Sequence, residues 1–177
     1  MAAISYHGTA FINTEGQPHD EVFFVEDLAH QCGHIIFNTL TLHTTDFLKI
    51  NKETPMSGLT GVVYDNRSVY GALHGLFTYI SILHCLTKCI KLEVFNPSQC
   101  VEAFSRIGFF MRKFEIDLNY MNMPQIYTSK GQQIYDGALA SFEQVKKEFG
   151  ADFKDKCYDN QPYIFNYHLF QKINPTF

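Results

Sequence analysis

Apolar positions recur at three- and four-residue spacings over four long stretches of the chain, and that period predicts a mainly helical fold. The first stretch runs from about Glu21 to Thr41, with Asp20 as its cap and acidic Glu21 in the first turn. The second begins near Ser68 and reaches Ile90, apolar nearly all round like a helix buried among neighbours, with Asp65 or Asn66 expected to cap it. Asn96-Pro97-Ser98 opens a third that extends to about Asn119, and its Arg112, Lys113 and Glu115 read as a solvated face. A fourth starts at Thr128 or Ser129 and is expected to end at Phe149, with Gly150 closing it.

Between these stretches the period fails. Ile4 to Asn13 is β-branched and aromatic and reads as a strand, followed by turn formers up to Asp20. From Leu42 to Asn66 the pattern is broken by Pro55, Gly58 and Gly61, leaving a long irregular connection with a short strand expected at Leu59 to Tyr64. Connections of that length are uncommon unless they cover a site or bind something. Tyr158 to Phe177 is aromatic with two prolines, as in a docked extended segment. The expected fold class is mainly α (α+β): a helical bundle with a small N-terminal strand element, one domain over residues 1–177.

Composition narrows the function classes. With 46% hydrophobic and 18% charged residues, the chain has the makings of a core and is not a disordered tail. A net charge of −4 with three scattered arginines gives no electrostatic footprint for nucleic acid. No apolar run reaches a membrane span and Met1 to Ser5 lacks a signal-peptide pattern, so no membrane partner and a cytoplasmic location are expected. Five cysteines without C-x-x-C spacing argue against a disulfide framework, and Cys85 and Cys89 read as core packing.

The chemistry sits in the first helix. His30-Gln31-Cys32-Gly33-His34 puts two imidazoles on one face about one turn apart, the spacing by which a helix holds a metal ion. A zinc metalloprotease has a glutamate after its first histidine to act as base; Gln31 stands there and cannot take a proton from a metal-bound water. His74 is the first candidate for a third ligand, since its segment has little other reason for a polar ring. Glu26 and Asp27, one turn before His30, are its rivals, either as the carboxylate of a two-histidine facial triad or as partners that orient an imidazole. His43, His84 and His168 read as loop or core histidines. If residues 67–75 are helical, Arg67 and His74 share a stripe within about 20° and lie roughly 10 Å apart along the axis. Such an arginine could grip the far carboxylate of a diacid that chelates the metal.

The Phe11-Ile12-Asn13 segment, the two-histidine helix, and Arg67 followed seven residues later by the histidine of Leu73-His74-Gly75 together resemble the H-E-x-x-H peptide-modification family. The match spans about residues 5 to 95 and departs at Gln31, where the family has glutamate, and at Ser68, where a proline often follows the arginine. The resemblance implies Fe(II)- and 2-oxoglutarate-dependent hydroxylation of a side-chain carbon in a ribosomally synthesised precursor peptide. On that reading His30, His34 and His74 ligate the metal, Arg67 binds the cosubstrate, and Gln31, Asp27 and Glu26 lie around the ligands. The expected partners are the precursor peptide and a companion biosynthetic protein. The competing classes are a degenerate zinc-metallohydrolase-like domain and a non-catalytic peptide-binding domain.

Overall fold

The structure is a computed structural model that describes residues 8–15 and 19–175. Among these residues it contains six α-helices and no strand. The order is α1 Glu21–Leu40, α2 Met56–Thr60, α3 Val69–Lys91, α4 Pro97–Tyr120, α5 Ser129–Phe153 and α6 Tyr167–Ile173, with single 3-10 turns at Thr44–Asp46 and Pro124–Ile126.

Side-chain caps set the helix starts. Asp20 accepts from the backbone N–H groups of Val22 and Phe23, and Thr128 accepts from that of Gly131. Asn96 and Gln99 close a reciprocal capping box, with Pro97 in the first turn of α4. The cap of α3 is Ser68, which accepts from Gly71, and not Asp65 or Asn66 as expected. Arg67 therefore lies outside the helix.

Four further expectations are corrected. Residues 8–13 form no strand, and residues 4–7 lie outside the described ones; with no partner strand among the described residues, a lone strand would have no ladder to satisfy its backbone. The strand expected at Leu59 to Tyr64 is replaced by α2, which buries Met56 completely and ends at Gly61 in the left-handed region (φ 75°). Helix α5 continues through Gly150 to Phe153. A glycine inside a helix costs only about 1 kcal/mol, and continuation lets Phe149 and Phe153 pack together against the core. The tail is helical over α6, capped by Asn166, because that turn carries Phe170 into the core.

Helix α3 is the central element, packed against α1, α4 and α5. By length and composition alone it could cross a membrane, which the sequence pattern had not suggested; half of its most apolar window is buried inside the bundle. Leu73, Leu76, Ile82, Leu83 and Leu86 are almost completely buried along it, and each such side chain contributes about 1.5–3 kcal/mol of burial free energy. None of the five cysteines is paired, and Cys32 is exposed.

The α1–α3 contact is close because Gly33 has no side chain. A Cβ there would lie 2.8 Å from Ser81 Oγ and 3.2 Å from Thr78 Cα. Gly33→Val should therefore force the two helices apart and destabilise the fold by about 1–3 kcal/mol. At this chain length that is a fall in Tm of several degrees, measurable by thermal unfolding.

Candidate metal centre

The two helices cross antiparallel, with Gly33 against Thr78 and Ser81, His34 against His74, and Thr41 against Tyr70. That register brings the three histidines together. His34 Nδ1 and His74 Nε2 are 2.7 Å apart, sharing one proton, and their rings meet edge to face at 4.4 Å. The His30 and His34 rings lie 4.6 Å apart. His74 is held in place by stacking on the fully buried Phe37, at 4.7 Å and 12°. All three imidazoles are half-buried, so each keeps an edge toward solvent.

Burial is the main reason their pKa values are pushed down to about 4; Lys113 and His74 add to the effect at His30, His30 at His34, and His34 at His74. At neutral pH the cluster is uncharged, and a cation would have to displace the proton shared by His34 and His74 to reach both of those nitrogens. Two nitrogens each about 2.1 Å from one ion sit roughly 3.0–3.4 Å apart, so the His34 and His74 rings would separate by a few tenths of an ångström to admit one. As they stand, no three His, Cys, Asp or Glu side chains among the described residues are arranged to hold a metal. Neutral imidazole nitrogens are donors of the kind that transition metals take.

The other candidate residues are placed differently. Gln31 is buried, its Nε2 makes a long 3.5 Å hydrogen bond to Asp27 Oδ1, and its Oε1 has no partner among the described residues. Glu26 is engaged elsewhere: its carboxylate accepts from Arg106 Nη1. Arg67 gives Nε and Nη2 to Asp65, and Nη1 and Nη2 to Asp117, at 2.8–2.9 Å. Those bonds occupy four of the guanidinium's five N–H donors, and they hold its pKa well above the ordinary range. In this structure Arg67 is a clamp between the loop before α3 and α4, and its fork is not open to a diacid.

Reading the sequence alone misses the charged seam of α4. Glu102, Arg106, Lys113 and Asp117 fall within about 60° of one another around the helix. All four are buried or half-buried. Arg106 is shared by Glu26 and Glu102; Asp117 accepts from Arg67 and from the Tyr79 hydroxyl. Lys113, expected on a solvated face, donates to the Tyr163 carbonyl at 3.1 Å and lies 4.0 Å from the Tyr163 ring centroid. The seam was visible as a 4-7-4 spacing of charges on one stripe.

Two expected outcomes check this geometry. Each histidine has a folded pKa near 4 against an ordinary value of 6.5, so the unfolded chain binds more protons between those values. Stability should fall as pH drops from about 6.5 to 4, and His74→Phe should flatten that slope in urea titrations at a series of pH values. Asp117→Asn removes the negative charge and one of the two oxygens that accept from Arg67 and Tyr79, and should cost about 2–3 kcal/mol, less than breaking a fully buried pair because Arg67 keeps Asp65 and some solvent.

Compared with known protein families, curated proteins and solved structures, the chain matches none.

Proposed function

We propose that the chain is a metalloprotein in which His30, His34 and His74 bind one transition-metal ion at the α1–α3 crossing. The observation that carries this reading is the convergence of three neutral, half-exposed imidazoles from two helices, one of them stacked on a buried phenylalanine. Imidazole donors suit iron as well as zinc. Of these, the resemblance in the sequence favours iron, acting with O₂ and 2-oxoglutarate to hydroxylate a side chain of a precursor peptide. Gln31 supplies no base, which weighs against a hydrolase and not against an oxygenase.

This chain's own residues then have definite tasks. His74 is oriented by its stack on Phe37. With Arg67 engaged by two aspartates, a cation among the described residues that could meet the far carboxylate of 2-oxoglutarate is Lys113, whose charge is felt at His30 and which would exchange the Tyr163 carbonyl for it. Bound iron would supply the redox chemistry, while α1, α3 and α4 position the ligands and the charge around it.

A second reading, a non-catalytic binding domain, has one observation in its favour: His34 and His74 already satisfy each other by a hydrogen bond. The two separate on metal content. Protein reconstituted anaerobically with Fe(II) should retain about one equivalent after desalting, and His34→Ala and His74→Ala should lose most of it. Given ascorbate, 2-oxoglutarate and the precursor peptide, the loaded protein should add one oxygen by mass, and Lys113→Gln should raise the KM for 2-oxoglutarate more than it lowers kcat. Retention below about 0.1 equivalent would overturn the metal reading and leave the binding domain.

A further inference from the structure

Helix α1 is apolar on two sides. Val22, Ala29 and Phe37 face inward with Gly33 against α3. A second row, four residues apart, faces solvent along the whole helix: Phe24 is 38%, Leu28 46%, Ile36 49% and Leu40 56% exposed, and Cys32 at its centre is exposed too. A surface helix ordinarily carries one apolar stripe. Here the bundle covers only the first, because α1 packs chiefly on α3 with a minor contact to α4. We infer that the second row is a homodimer interface, in which α1 of one copy packs antiparallel on α1 of a second copy about a two-fold axis at Cys32.

The occupant follows from the symmetry of the row. A two-fold interface uses one patch on both subunits, so the patch must be complementary to itself. Leu28 and Ile36 stand four residues before and after Cys32, and Phe24 and Leu40 stand eight before and after it. An antiparallel pair therefore seats Leu28 against Ile36 of the other copy, and Phe24 toward its Leu40. Rows of i, i+4 side chains are also the ridges by which helices most often interdigitate.

Electrostatics and area agree with that occupant. Among residues of α1, Glu26 and Asp27 are the carboxylates between Glu21 and Leu40. Glu26 is buried against Arg106, and Asp27 lies about 140° around the helix from Cys32, so no like charges meet across the row. Antiparallel pairing also sets the positive N-terminal end of each helix beside the negative C-terminal end of the other. The exposed parts of the five side chains amount to roughly 400 Å² of apolar surface, a substantial part of the roughly 600–1,000 Å² per partner in a specific interface. The half-buried flank of α3 beside the row, at Ser81 and Cys85, extends it. His30 and His34 are each two residues from Cys32, about 160° away around α1, so the histidine cluster stays clear of the second copy.

The test is sedimentation of the full chain as purified, without added metal, which makes its outcome independent of the metal reading. The protein should be mainly dimeric at about 100 µM. Leu28→Glu and Ile36→Glu, both at exposed positions, should each raise the dimer Kd about tenfold or more while their circular-dichroism melts stay close to wild type. Ile116→Glu, at a comparably exposed apolar position of α4 beside α5, should leave the dimer intact. A short bismaleimide should join two chains, and Cys32→Ser should abolish the link, since Cys32 is the one exposed cysteine of the five. A dimer indifferent to both Leu28→Glu and Ile36→Glu overturns the inference. So does a monomer at about 100 µM: slow maleimide labelling of Cys32 would then give the face to another segment of this chain, and fast labelling to a different partner.

Discussion

The architecture depends on one close approach, the contact of α1 with α3 at Gly33. A missing side chain on α1 lets the backbone at Thr78 and the Ser81 hydroxyl come within van der Waals range. Everything at the crossing follows from that distance. Val22, Ala29 and Phe37 can bury completely or nearly so on the same side of α1, and the stripe beside them carries His30 and His34 to His74. Had the helices been held apart by an ordinary residue, Phe37 would not reach His74, and the three imidazoles would be separate half-buried groups. The cluster is a product of packing, and no local preference of the histidines is needed to explain it.

A second constraint is electrostatic. Placing Glu102, Arg106, Lys113 and Asp117 along one stripe of α4 costs desolvation energy that a leucine stripe would not. The arrangement survives because nearly every charge has a partner: Arg106 two glutamates, Asp117 an arginine and a tyrosine. Such a seam defines the relative position of helices more sharply than apolar contacts do, since sliding by one turn would strand several charges at once. Glu21 with Gln99 and Glu26 with Arg106 give α1 and α4 a parallel register, and the same register carries Lys113 to the level of the histidines.

Much of the helical frame was legible because its start signals are local. Asp20, the Asn96-Pro97 pair and Thr128 announce helix starts by chemistry that needs no tertiary context. The histidines were legible for the same reason, a spacing of four on one helix and an isolated polar ring in an apolar one. Arg67 was misplaced because Asp65 reaches forward to its backbone N–H and side chain and stops the helix before it, so the stripe that would join it to His74 does not exist. Lys113 was misread because the ring that covers it, Tyr163, lies 50 residues away in a segment without periodicity. The strand expectations failed at a point that local propensity does not address, namely whether a partner strand is available.

The tail also reaches charges far from it in the chain. Phe165 lies over Arg106, and Tyr163 lies over Lys113. Burial raises the pKa values of Glu26 and Glu102, against the opposing pull of the Arg106 they share. A short stretch before α6 thus covers two cations of α4 that stand 59 and 50 positions earlier in the chain, so a change of composition at Tyr163 or Phe165 would be felt on a helix to which local sequence gives it no connection.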